Sequence, residues 1–378
     1  MRSGRRTLLA LVAAIVALGA VASCSADPAG DGNQTVTAGA VIYPLSLRYH
    51  GIDVVTDVPY GGDRLQRLDV CLPADSAPGT TATPEGAATP AGAAAAAGSG
   101  GLAGSGSTSS AVPEVPEPGA TGRTNPSPTA PATADPSALE KAATGTRPAV
   151  MMVHGGSWSH GDKDTAAYRA VCQYLASAGF VTFNVDYRLA PTDPFPAGLD
   201  DVRRALDWVF RPATLETYDV DADRVGVFGG SAGGNLVSLL AVEDHRSTAY
   251  ADGDRIRAVV DLSGPSDLTS RSTASDGVSA AFQRRQLLYL GCTRYDACPA
   301  AERASPRYNV TADTPPFFIG HSTHEFIPMW ESQDFASALR DEGVPVTFVA
   351  VEGTAHSIAQ LDQAMSERVV RFLRRTLR

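Results

Sequence analysis

The stretch RVGVFGGSAGGNLVSLLAV, residues 224–242, changes its character halfway along. Its first five residues, RVGVF, read as a buried strand, and LVSLLAV, residues 236–242, reads as a helix. Between them stands GGSAGGN, residues 229–235, which contains Gly229-Gly230-Ser231-Ala232-Gly233, a G-x-S-x-G. A serine on a sharp strand-to-helix turn takes a strained backbone conformation that lifts its hydroxyl above the sheet, and only very small neighbours avoid clashing there. A glycine-rich turn without chemistry is the plain alternative for the five letters alone. The strand–turn–helix setting favours the elbow. A phosphate loop does not fit, because the lysine of G-x-x-x-x-G-K-[ST] is missing.

The flanking sequence repeats the same alternation. AVMMVH (149–154), FVTFNV (180–185), AVVDL (258–262), PFFIG (316–320) and VTFVAV (346–351) read as strands. Between them, apolar residues recur at helical spacing: Tyr168, Val171 and Leu175; Leu199, Val202, Leu206 and Val209; Phe335 and Leu339. An amphipathic helix is expected over 358–373. Strands separated by helices imply right-handed βαβ units and an α/β fold with a mostly parallel central sheet flanked by helices. Upstream, residues 52–73 read as two strands around the Gly61-Gly62 turn. Residues 74–146 are mostly Ala, Gly, Pro, Ser and Thr with few large apolar side chains. Such a run cannot bury enough surface to offset its ordering entropy, so it is expected to be a long disordered insertion. Strand-like sequence resumes after it, which assigns 41–73 and 147–378 to one domain.

Two further stretches bear on chemistry. HGGSW, residues 154–158, follows a strand. Paired glycines there let backbone N–H groups face a ligand unobstructed, as an oxyanion hole requires. The expected donors are Gly155, Gly156 and Ala232, the last being next to Ser231. His154 then braces the loop by hydrogen bonding. A metal site of His154, His160 and Asp162 matches no known ligand spacing. His356, in EGTAHS, follows the last strand, where a general base can reach Ser231. A surface histidine is the bland reading, and its position and chain order favour catalysis.

HGGSW, DYRLAP (186–191), FPAGLDDVRRALDW (195–208), GGSAGGNL, DLSGPSDL (261–268) and GTAHS together resemble the α/β-hydrolase esterases. The likeness is to the hormone-sensitive-lipase-like enzymes and to the bacterial feruloyl- and acetylxylan-esterase-like proteins. It extends over nearly all of 41–73 and 147–378. The resemblance implies the α/β-hydrolase fold, hydrolysis of carboxylic esters with short acyl chains, and no metal or organic cofactor. In similar proteins the stretch corresponding to GHSTHEFIP (320–328) places an Asp where this chain has His324. An imidazole cannot stabilise the imidazolium of His356 as a carboxylate does. Glu325, one residue on, is one methylene longer than Asp, and this fold accepts either acid. Glu325 is therefore the expected third member of the triad, with solvent exposure as its bland alternative. Asp267 is the next candidate, its competing role being to cap the following segment. Asp334 is expected on a solvated helix face. The displaced acid keeps open a catalytically impaired, ligand-binding hydrolase relative, and a peptidase of the same fold is the other alternative.

The chain of 378 residues has a formal charge of −10, which argues against a nucleic-acid partner. The first six residues carry three arginines, an apolar run of about fifteen follows, and VASC (21–24) ends it. This reads as a signal peptide over 1–23, lipidation at Cys24, a tether over 24–40, and a membrane-anchored, extracytoplasmic protein. Cleavage after Ala22 by an ordinary signal peptidase is the alternative. Assigning Cys24 to a lipid leaves four cysteines. Cys292 and Cys298 are expected to pin a loop of a small cap over 266–309, and Cys71 and Cys172 pair by elimination unless both are buried thiols. Trp158 and Tyr289 either line the substrate pocket or pack.

Overall fold

A computed structural model describes residues 34–37, 49, 52–74, 145–244, 255–274 and 278–378. The expected signal peptide, Cys24 and nearly all of the 74–146 insertion lie outside the described residues. In chain order the elements are β1 (Gln34–Thr37), β2 (Asp53–Pro59), β3 (Arg67–Leu72), β4 (Arg147–Val153), α1 (Ala166–Ser177), β5 (Val181–Val185), α2 (Ala197–Val209), α3 (Pro212–Thr217), β6 (Val220–Gly230) and α4 (Ala232–Asp244). There follow β7 (Ala258–Leu262), α5 (Ser270–Ala274), α6 (Ala280–Leu290), α7 (Ala300–Arg303), β8 (Phe317–Ser322), α8 (Met329–Asp341), β9 (Val346–Glu352) and α9 (Gln363–Thr376).

The described strands form one nine-stranded sheet in the order β1-β9-β8-β7-β6-β4-β5-β3-β2. Pairing is parallel along this order from β1 through β5, and β3 runs antiparallel to both β5 and β2. The strands on either side of 75–144, β3 and β4, both belong to this sheet. Side chains alternate across it with a period of two. In β4, Ala149, Met151 and Val153 pack on one face with Leu206 of α2, Leu236 of α4 and Phe335 of α8. Val150 and Met152 pack on the other face with Leu175 of α1 and Leu373 of α9. Burial on both faces explains why these strands read as continuous apolar runs.

Three expectations change in the folded chain. Residues 34–37, placed by the sequence within a tether, form β1 and extend the sheet beside β9. The helix expected over 358–373 is split. Ser357 has φ 60° and opens a short 3-10 turn, Ser357–Gln360. The Asp362 side chain then accepts the N–H of Met365 (2.7 Å) and starts α9. Helix α4 begins four residues earlier than its apolar run, directly after Ser231.

Both disulfides form. Cys71–Cys172 ties β3 to α1, and Cys292–Cys298 closes the loop after α6. Trp158 and Tyr289 are packing residues: both are buried, their rings stack at 4.4 Å, and the Trp158 indole donates to Asn235 Oδ1 (3.2 Å).

Candidate active site

The site is built at the carboxyl ends of β4, β6, β7, β8 and β9, where open α/β sheets bind ligands. Ser231 sits between β6 and α4 with φ 56°. Its N–H donates to Leu262 O of β7 (2.9 Å). The glycines on either side have no room for a side chain. A Cβ on Gly229 would lie 2.2 Å from Gly233 O, and one on Gly233 would lie 2.1 Å from Val153 O. The left-handed conformation costs a non-glycine residue roughly 1–2 kcal/mol. Ser157, Trp158, Ser263 and Ser357, in the loops after β4, β7 and β9, share it. Strain of this kind persists where surrounding structure over-determines it, and it gathers at functional sites.

Glu325 and His356 meet. Glu325 Oε2 is hydrogen-bonded to His356 Nδ1, and the Glu325 side chain is fully buried. Its other oxygen, Oε1, accepts from Ser263 Oγ (2.6 Å) and Ser322 N (3.2 Å) and lies 3.0 Å from His321 Nε2. Burial alone would raise this carboxyl. Hydrogen bonds from His321 and His356, with their charge, outweigh it and hold the carboxyl down at about 2. His356 Nε2 is buried and has no hydrogen-bond partner among the described residues, so the lone pair opposite Glu325 is uncommitted. No hydrogen bond joins it to Ser231; such bonds are often long before substrate binds. The adjoining residues are in close contact, because a Cβ on Gly230 would lie 2.1 Å from Ser357 Oγ.

His324 points away from this group. Its side chain is 68% exposed, and its ring lies 3.6 Å from Glu352. Asp267 performs the capping role: it accepts from Thr269 N (2.9 Å), Thr269 Oγ (2.6 Å) and Tyr308 Oη (2.9 Å). Asp334 of α8 pairs with Arg271 (2.8 Å).

The oxyanion loop requires one correction. The N–H of Gly155 is taken by the Tyr168 hydroxyl (2.6 Å), so Gly155 is not a free donor. The N–H groups of Gly156, Ser157 and Ala232 meet no protein acceptor among the described residues. Gly156 (φ 127°), Ser157 and Trp158 are successive positive-φ residues, so the loop turns sharply. A Cβ on Gly156 would fall 1.9 Å from His160 O, which excludes any side chain there. Ser157 thus joins Gly156 and Ala232 as a candidate donor to an oxyanion. Ala232 opens α4, whose N-terminal end favours developing negative charge.

His154 braces this loop. It is buried, hydrogen-bonds to Gly155 O through Nδ1 (2.8 Å), and stacks on Tyr187 at 4.4 Å. Burial pushes its imidazole down to about 4, so it is neutral and Nδ1 carries the proton. Among the described residues, His154, His160 and Asp162 form no group arranged to hold a metal ion.

Several residues of this site carried no local signal. Ser263 and Ser322 lie at the ends of strands β7 and β8, and His321 donates toward Glu325 from the strand before it. Phe326 is 45% exposed, lies 4.4 Å from the His356 ring, and meets Phe282 of α6 edge to face at 5.3 Å. The cap thus contributes an aromatic wall beside the imidazole.

Comparison with known proteins adds a family. Over 225–227 residues the chain is 31% identical to the probable carboxylic ester hydrolase LipM and 30% identical to the esterase LipC, both of Mycobacterium tuberculosis. These matches take in 58% and 57% of this chain and 52% and 54% of the relatives, so the chain spans about half the length of the curated relatives it matches. Among solved structures, a truncated carbohydrate esterase from gut microbiota superposes with a TM-score of 0.61 at 18% identity, covering 86% of this chain and 96% of that one. Esterase B from Lactobacillus rhamnosis superposes with a TM-score of 0.59 at 18% identity, covering 87% and 86%. At that identity the likeness establishes the α/β-hydrolase fold. The BD-FAE family model matches residues 138–339, from the approach to β4 through most of α8. That is more than half of the chain, which therefore belongs to the BD-FAE family.

Proposed function

We propose that the protein is a serine esterase that hydrolyses carboxylic esters through Ser231, His356 and Glu325. The observation that carries this reading is the buried Glu325–His356 pair with an uncommitted Nε2 on a loop packed against the Ser231 elbow. With Glu325 ionised and fixed at Nδ1, Nδ1 carries the proton and Nε2 is the base. Ser231 Oγ attacks the ester carbonyl as its proton passes to Nε2. The tetrahedral oxyanion is held by the N–H groups of Gly156, Ser157 and Ala232. The imidazolium then protonates the departing alcohol, and the acyl group remains on Oγ. Water attacks the acyl-enzyme with His356 again as base, releasing the acid. Catalysis by these groups requires no redox step.

The substrate is a small ester with a short acyl chain. The resemblance of HGGSW, GGSAGGNL and GTAHS to esterases of this family supports that choice. An exported, lipid-anchored location is supported by VASC (21–24) and by two disulfides, which persist in oxidising compartments. An ester panel on wild type and Ser231→Ala tests the reaction. Hydrolysis of p-nitrophenyl acetate should vanish with the serine, and retention of the full rate would end the proposal. Metabolic labelling with palmitate tests the anchor: label that survives Cys24→Ser would refute it.

A further inference from the structure

We propose that Tyr168 is a positioning residue of the esterase reaction, its buried phenol tying the oxyanion loop to the histidine loop and the serine elbow. The inference rests on the esterase reading above. Tyr168 belongs to α1, an element that contributes no group to the chemistry itself. Its Oη accepts the Gly155 N–H at 2.6 Å. The same glycine is in close contact with the elbow: a Cβ there would lie 2.7 Å from Gly230 O, 2.9 Å from Tyr168 Oη and 3.1 Å from Ser231 Cβ. The Ser357 hydroxyl lies beside the Tyr168 phenol. It is buried and makes no well-aligned hydrogen bond among the described residues. That hydroxyl also packs on Gly230, whose Cβ would lie 2.1 Å from it.

Both neighbours of the phenol, Gly155 and Ser357, adjoin a working residue, and both pack on Gly230 of the elbow. Gly155 precedes the oxyanion donor Gly156, Ser357 follows His356, and Gly230 precedes Ser231. The bond to Tyr168 fixes the His154–Gly155 peptide plane, and His154 holds the next plane, which carries the Gly156 N–H, through Gly155 O. Gly155 O is held by His154 and His154 O by the Tyr187 hydroxyl (3.1 Å), so Tyr168 is the restraint on the N–H side of a loop whose carbonyls are already held. Without it the buried Gly155 N–H is unsatisfied, and the loop gains freedom to turn. A displacement of about 1 Å at a reacting centre costs roughly 100-fold in rate.

Tyr168→Phe removes the hydroxyl and keeps the ring. On p-nitrophenyl acetate its kcat should fall about 10- to 100-fold with KM within about twofold. Affinity for a boronic acid that mimics the tetrahedral state should fall in parallel, and the thermal midpoint should stay within a few degrees. Ser357→Ala should lower kcat by several-fold, and the double variant should be no slower than Tyr168→Phe, since the two act through one joint. An unchanged kcat, or a loss carried by KM with boronic acid binding intact, overturns the assignment. If Tyr168→Phe fails to fold, Ser357→Ala decides alone, and a wild-type kcat there overturns it. An inactive wild type would instead remove the esterase reading, and this inference with it.

Discussion

Replacing Glu325 by glutamine exchanges one carboxylate oxygen for an NH2 group, and its consequence follows from the bonds on each oxygen. Oε1 faces three donors: Ser263 Oγ (2.6 Å), Ser322 N (3.2 Å) and His321 Nε2 (3.0 Å). In Glu325→Gln the new amide oxygen would take that place, because an NH2 group there would face donors only. The NH2 is then left against His356 Nδ1. His356 must accept at Nδ1 and carry its proton on Nε2, where it cannot take one from Ser231. The wrong tautomer in a triad lowers kcat by about 10⁴, or ~5 kcal/mol of transition-state stabilisation. Stopped-flow hydrolysis of p-nitrophenyl acetate should show that loss in kcat with KM little changed. Labelling by a fluorophosphonate should slow by a similar factor. Adding His324→Asp to Glu325→Gln should restore nothing, because residue 324 faces solvent. A kcat for Glu325→Gln within about tenfold of wild type, or rescue by an acid at 324, would refute the assignment of Glu325.

Two predictions concern stability. Glu331 of α8 is buried, and burial pushes its carboxyl up to about 8, against hydrogen bonds from the N–H groups of Asp267 and Ser266. The native state then holds a proton that the unfolded chain releases, so stability should fall between about pH 4.5 and pH 8, by on the order of 5 kcal/mol, and level off above. Glu331→Gln should flatten that slope in denaturant titrations at several pH values; equal slopes for the two proteins would contradict it. Cys71–Cys172 spans 101 residues and Cys292–Cys298 spans six, so the chain-entropy model assigns ~5 and ~2 kcal/mol respectively. Denaturation of the two double Cys→Ala variants should show the first pair to matter more, and the reverse order would count against that account.

What could be read from the chain by itself was whatever depends on near neighbours. The order of strands and helices was legible because each element shows its own period, and parallel pairing follows once strands alternate with helices. Ser231 was legible because the glycines that relieve its turn are two residues away on either side. Cys292 and Cys298 were legible for the same reason. Burial on both faces of β6 and β7 hid their ends, so neither Ser263 nor the true start of α4 could be placed.

The tertiary structure decided everything that depends on where a loop side chain turns. His324 and Glu325 are adjacent in the chain, and one residue of difference sends one to solvent and the other into a socket made by β7, β8 and the histidine loop. Gly155 and Gly156 look alike in HGGSW, yet a tyrosine 13 residues beyond Gly155 takes the N–H of the first and leaves that of the second. Hydrogen bonds between segments are settled by three-dimensional approach, and no local pattern of residues encodes which donor an acceptor from another element will reach.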